Sequence, residues 1–192
     1  MSGRYFRSSG YLADGTIPRA DGGVVPLAAL PPFLRTLLVT DGTVTKSLEA
    51  YFWEPVAVRP IRHARLTLAA PEPGLAAAPG AAVLRREVSL TGQSSGRCYA
   101  CARSVLALDE LAPRLRAGVV EGRIGIGELL REQGVETYRE IFDLSWLPAG
   151  TRHDPLLAPL AGDIVARAYR IRVGGSPAIV VREFFPLDLY RS

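Results

Sequence analysis

Polar and apolar positions alternate through Ala81–Leu90 (AAVLRREVSL), as they do in a β-strand with two distinct faces. Arg85, Glu87 and Ser89 form one face; Leu84, Arg86, Val88 and Leu90 form the other, which is apolar except for Arg86. Such an arginine either snorkels to the sheet edge, pairs with a structural carboxylate, or faces a buried cavity that holds an anion. The Gly/Ser turn TGQSSG and a second extended run, RCYACARSVLAL, complete a predicted β-hairpin. The chain closes with a second predicted hairpin, IVARAYRIRVGGSPAIVVREFFP, turning at Gly174-Gly175-Ser176-Pro177. Here Glu183 shares a face with Ile179, Val181 and Phe185, while Arg182 interrupts the opposite face. A carboxylate among large apolar side chains is costly unless it is paired or protonated. Each hairpin therefore places one charge, of opposite sign, on an inner face. On these residues alone, direct pairing of Arg86 with Glu183 is the simplest reading.

Helical spacing marks the earlier half. PLAALPPFLRTLLVTDG reads as a helix opened by Pro26, with Phe33, Leu34, Leu37 and Leu38 on one side and Gly42 as its stop. TVTKSLEAYFWEP reads as a second helix, ending before Pro55 and burying Leu48, Tyr51 and Phe52. VAVRPIRHARLTLA is extended, and Pro60 suggests an edge strand or a break. After the first hairpin, Asp109 is placed to cap a helix through DELAPRLRAG, and GRIGIGELLREQG begins another. VETYREIFDLSW reads as a strand, and LPAGTRHDPLLAPLAGD as a long loop. Helices followed by helix-interrupted hairpins predict an α+β fold, a single antiparallel β-sheet with helices packed on one face.

The 192 residues suit one domain over 1–192, with residues 1–25, rich in Gly and Asp, as a loosely packed leading segment. The composition, 48% hydrophobic, is that of a globular chain, and no apolar run approaches the roughly 18–20 residues of a membrane span. The first residues lack the apolar stretch of a secretory signal, so a cytoplasmic protein is expected. The net charge of +4 and pI near 9.4 raise nucleic acid as a partner. The cations are nearly all arginine, with Lys46 the only lysine, and they are scattered among strands, so nucleic acid is not expected. A mild positive field instead favours an anionic small molecule. Cys98 and Cys101 form a lone C-x-x-C without the second pair or nearby histidines of a metal site. Three extended residues span about 10 Å, beyond the roughly 7 Å a disulfide bridges, so two core thiols are expected. His63 and His153 are isolated in the sequence, and no nucleophilic triad can be assembled. The glycines of GRIGIG match neither a dinucleotide fingerprint nor a P-loop, but Gly125-Ile126-Gly127 opens a helix whose amides are available to a carboxylate.

From about Leu30 to Tyr190 the chain resembles the chorismate pyruvate-lyase (4-hydroxybenzoate synthase) family. LRREV is similar to the family strand whose arginine binds the substrate carboxylate, which implies that role for Arg86. ARSV resembles its partner strand around Arg103. GIGELL resembles the family's Pro-Leu-Gly helix start and implies a backbone amide donor at Ile126; TVTKSLE is similar to the Met-Thr-Lys segment and implies a second at Val44. YRIRVGGSPAIVVREFF resembles the Arg-x-Arg, Gly, Pro and terminal Glu pattern, placing the ligand-facing carboxylate at Glu183. The resemblance implies a chorismate lyase-like fold with an enclosed ligand cavity, elimination of pyruvate from chorismate, and Arg86 and Glu183 as its catalytic pair. It implies no metal and no organic cofactor, chorismate and its product as the small-molecule partners, and a monomer or dimer. Ala102 replaces a glycine of the short bacterial enzymes, which narrows the cavity, and the 147–163 loop is longer than theirs. Two other readings stay open: a lyase acting on a chorismate analogue, and a lyase-fold module that only binds a small aromatic or cyclohexadiene acid. The latter is the effector domain of winged-helix regulators, for which the roughly 25 residues before the first helix are too few to hold a DNA-binding domain.

Overall fold

In the computed structural model, which describes residues 15–41, 43–122, 124–151 and 153–191, the alternation just traced becomes a six-stranded antiparallel sheet. The strands β1 (Thr16–Pro18) and β2 (Val24–Pro26) first form a small hairpin of their own. Helices α1 (Pro32–Val39) and α2 (Val44–Phe52) follow, then the long strand β3 (Val56–Thr67). Strands β4 (Ala82–Gly92) and β5 (Cys98–Ala107) make the first large hairpin, and helices α3 (Pro113–Glu121) and α4 (Ile126–Glu132) come next. β6 (Thr137–Leu147), β7 (Ile164–Val173) and β8 (Ser176–Pro186) complete the sheet, in the order β3-β4-β5-β8-β7-β6. Both expected hairpins are present, joined along β5 and β8. The architecture is α+β, with four α-helices among the described residues.

The helices pack on one face. Leu34, Leu37 and Leu38 of α1 and Val44 and Leu48 of α2 cluster with Leu90, Ala102, Val165 and Phe185. Leu115 and Val119 of α3 and Leu129 and Leu130 of α4 cluster with Leu84, Leu106, Tyr169, Ile179 and Val181 of the same face. Each fully buried leucine contributes about 2 kcal/mol of transfer free energy, so this layer is the main source of stability. On the opposite face, Leu156, Leu157 and Leu160 of the 147–163 loop cover Cys101, Ala166 and Phe184. That loop is therefore packed, and two short 3-10 turns, at Ala149–Thr151 and Pro155–Leu157, give it local order.

Several sequence expectations shift in register. The first helix begins at Pro32, not Pro26, because Pro31 and Pro32 fit the cap and first-turn positions; residues 27–29 form a separate 3-10 turn. Tyr51 stays exposed, and α2 turns Val44 inward instead. Asp109 lies in a 3-10 turn; α3 is capped by Ala112 with Pro113 as its first residue, so the proline outcompetes the aspartate as the start signal. Pro60 sits at an irregularity in the β3–β4 register on the sheet edge, where its missing N–H is tolerated. Of the segment expected to be loosely packed, residues 1–14 lie outside the described residues. Its remainder contains the β1–β2 hairpin, with Ile17 fully buried.

Candidate active site

Two rows of side chains cross the helix-facing side of the sheet. Arg86 of β4 lies opposite Ser104 of β5, Ser104 opposite Val181 of β8, and Val181 opposite Tyr169 of β7. One pleat along, Val88, Ala102, Glu183 and Arg167 occupy the same four strands. Between these rows and the first turns of α2 and α4 lies a cavity of about 490 Å³. Val44, Arg86, Ile126 and Glu183, the residues singled out from the sequence, all line it, together with Ala102, Ser104 and Tyr169.

Arg86 is 6% exposed. Its Nη2 donates to the Ile124 carbonyl at 3.0 Å, but its buried Nη1 has no hydrogen-bond partner among the described residues. Burial pushes the guanidinium's pKa below its ordinary value. Glu183 is fully engaged: Oε2 accepts from Arg167 Nε at 2.7 Å, and Oε1 accepts from the Tyr169 hydroxyl at 3.1 Å. Arg167, only 2% exposed, also donates through Nη1 to the Thr40 carbonyl at 2.7 Å, so β7 and the end of α1 together fix the carboxylate. Burial, reinforced by the Glu183 charge, drives the Tyr169 hydroxyl well above the usual phenol pKa and keeps it a neutral donor. The direct Arg86–Glu183 pair favoured by the sequence is therefore replaced. Glu183 is answered by Arg167, its direct neighbour across β7–β8, whereas Arg86 lies two strands away. Strand spacing and pleat put the Arg86 and Glu183 Cα atoms about 12 Å apart.

Two helix starts border the cavity. Thr43 and Gly125 occupy the N-cap positions of α2 and α4, and neither supplies a side-chain acceptor to the first turn. Val44 and Ile126 are the first residues of these helices, where amides have no intrahelical acceptor, and both residues line the cavity. The rim carries both signs, with Lys46 paired to Glu49 at 2.9 Å.

Arg167 and Tyr169 were missed from the sequence, although the signal was present: Val165, Arg167, Tyr169 and Ile171 alternate as one face of β7, the same pattern that exposed Arg86. His63 is a structural residue here, its Nε2 meeting the Val120 carbonyl at 2.8 Å where α3 ends. His153 lines a separate hollow on the opposite face of the sheet. Arg103 also belongs to that face, bonded to Glu87 at 2.7 Å and Asp154 at 2.8 Å. No cluster of three or more His, Cys, Asp or Glu suited to a metal occurs among the described residues.

Comparison with known proteins gives a consistent picture. Residues 38–192 match the family model described as chorismate pyruvate-lyase Rv2949c-like. A Mycobacterium leprae protein named chorismate pyruvate-lyase is 32% identical over 164 residues, covering 82% of this chain and 76% of that protein. A Mycobacterium tuberculosis (strain CDC 1551 / Oshkosh) protein of the same name is 28% identical over 169 residues, covering 82% and 81%. Among solved structures, PhnF from Mycobacterium smegmatis superposes with a TM-score of 0.55 at 18% identity, over 78% of this chain and 66% of PhnF. The PhnF effector domain superposes with a TM-score of 0.53 at 16% identity, over 78% and 91%. At such identities the structural likeness concerns the fold alone.

Proposed function

The chain belongs to the Rv2949c-like chorismate pyruvate-lyase family, and from that premise we propose that it cleaves chorismate to 4-hydroxybenzoate and pyruvate in the Arg86 cavity. One observation carries this reading: a buried guanidinium in the cavity wall keeps a donor unmet among the described residues. A planar cation with a spare N–H is the complement of a carboxylate. Arg86 and the first-turn amides of Val44 and Ile126 hold the ring carboxylate, exchanging its hydration for fixed donors. The separation of roughly 12 Å between the Arg86 and Glu183 Cα atoms leaves room for a para-substituted six-membered ring between their side chains. Glu183 then meets the 4-hydroxyl end of the ring, with Arg167 and Tyr169 keeping its carboxylate in one orientation.

In the reaction the C4 proton departs, its bonding pair completes the aromatic ring, and the C3–O bond breaks to release enolpyruvate, which becomes pyruvate by protonation at its methylene carbon. Aromatisation supplies the driving force, so the protein's task is to hold the ring and the ether in the eliminating geometry. Arg86 anchors the ring, and Glu183 orients the 4-hydroxyl and assists loss of the neighbouring proton. The step changes no oxidation state that needs an external acceptor, and a soluble cytoplasmic enzyme acting without cofactor on a free small molecule fits it. No helix among the described residues is long and apolar enough to cross a membrane. We read residues 1–192 as one domain, and α2 as the segment that covers the occupied cavity and encloses the ligand. Purified protein incubated with chorismate should release 4-hydroxybenzoate and pyruvate in equal amounts. Binding without turnover would favour a ligand-sensing role, and turnover of an amino analogue in preference to chorismate would relocate the specificity to the Glu183 end.

A further inference from the structure

Cys98 and Cys101 do not behave as residues three apart in a regular strand, which would point to opposite faces. The β4–β5 register slips between Leu90 and Thr91: Leu90 faces Ala100 while Thr91 faces Cys98, so Tyr99 is an extra residue on β5. This bulge shifts the alternation by one and brings both thiols to the face covered by Leu156 and Leu157. Both are free thiols in the core, as expected, but that irregularity brings the two Sγ atoms to 3.9 Å, far closer than the spacing of a regular strand allows. We propose that Cys98 and Cys101 are a redox modification site, closing to an intramolecular disulfide when a hydroperoxide oxidises Cys98.

The two sulfurs are unequal in the way such chemistry requires. Cys98, at the first position of β5, is partly exposed, whereas Cys101 is fully buried behind it. The hydrogen bond from Cys101 holds the Cys98 thiol below its ordinary pKa, and the same contact, with burial, drives Cys101 up. Cys98 is thus the attacking sulfur and Cys101 the resolving one. The Cys98 thiolate attacks the peroxide, its O–O bond breaks, and sulfenic acid and water or an alcohol result once the thiol proton is transferred. Cys101 then attacks the sulfenic sulfur, the S–S bond forms, and the sulfenic oxygen leaves as water. Two thiols lose two electrons and two protons, and the peroxide takes them up. Closure needs the sulfurs to approach from 3.9 Å to about 2.05 Å, a movement that side-chain rotation at the strand's first residue can supply.

The reduced full chain should be exposed to a small excess of hydrogen peroxide, alkylated and cut with trypsin, which places both cysteines in the peptide Cys98–Arg103. The expected peptide is lighter by two hydrogens, carries no alkyl group and recovers both thiols with dithiothreitol. Under the same exposure Cys101→Ser should yield a dimedone-trapped sulfenic acid at Cys98, and Cys98→Ser should leave Cys101 unmodified. Two alkylatable thiols after exposure of the wild-type chain, sulfinic acids in place of the bridge, or a disulfide between two chains would each overturn the proposal.

Discussion

Replacing Arg86 by methionine should strongly weaken substrate capture while leaving the stability of the empty protein nearly unchanged. Without ligand, Arg86 gains one charge-assisted hydrogen bond, to the Ile124 carbonyl, worth about 1.5–3 kcal/mol. Against this stands a desolvation penalty of several kcal/mol for a guanidinium whose Nη1 is unpartnered, the same penalty that lowers its pKa. Methionine fills much of the stem's volume without the charge, so the net change should lie within about 1 kcal/mol, or roughly 2–4 °C in melting temperature. With ligand the balance reverses. Removing the charged partner of a buried carboxylate costs about 2–5 kcal/mol, which is roughly 30- to 5,000-fold in kcat/KM. Lysine should recover little of this, because an ammonium cannot reproduce the planar fork. The assays are differential scanning calorimetry of the empty proteins and initial rates of 4-hydroxybenzoate formation. A kcat/KM within about threefold of wild type would refute the anchoring role, and a melting temperature lowered by more than about 8 °C would show that Arg86 is a structural residue.

Glu183→Gln should lower kcat by at least about tenfold while changing the dissociation constant for 4-hydroxybenzoate much less, since the amide keeps the shape but not the charge that faces the reacting carbon. Equal losses in both would place Glu183 in uniform binding. If α2 covers the occupied cavity, rapid mixing should reveal a burst of 4-hydroxybenzoate near one equivalent per active site before a slower steady rate; a linear trace from the first turnover would mean that product leaves freely. Glu54 accepts from the backbone amides of Ser94 and Ser95 and from the Tyr99 hydroxyl, and its pKa is lowered from 4.5 to about 2, with the Ser95 side-chain hydroxyl as the main cause, followed by the Tyr99 hydroxyl. A depressed carboxylate pKa stabilises the fold above the unfolded value and loses that effect as pH falls through the folded one. The melting-temperature advantage of wild type over Glu54→Gln should therefore shrink between pH 4.5 and about 2, and an advantage unchanged across that window would contradict the assignment.

Strand alternation was the most legible signal, because burying one face of a sheet imposes a strict period of two. It located both large hairpins and the inward charges Arg86 and Glu183. The pairing of those charges was not legible. It depends on which strands are neighbours, and β7, not β4, adjoins Glu183, so Arg167 takes the role that Arg86 seemed to offer. Helix ends were misplaced wherever two start signals competed, as at Pro26 against Pro32 and Asp109 against Pro113. The thiol geometry failed for another reason: a single bulge at Tyr99 reverses the phase of everything before it, and nothing in RCYAC marks that irregularity. Val44 entered through family resemblance alone, since a backbone donor leaves no trace in residue type, whereas the glycines flanking Ile126 marked a helix start with free amides. Their position at the cavity follows from the starts of α2 and α4.

The central claim concerns how one ligand lies between two fixed charges, and a crystal structure with 4-hydroxybenzoate tests it most directly. The carboxylate should lie on Arg86 Nη1 and the amides of Val44 and Ile126, with the 4-hydroxyl donating to Glu183. A ring bound in the reverse sense, or a ligand seated elsewhere with Nη1 still unpartnered, would contradict it.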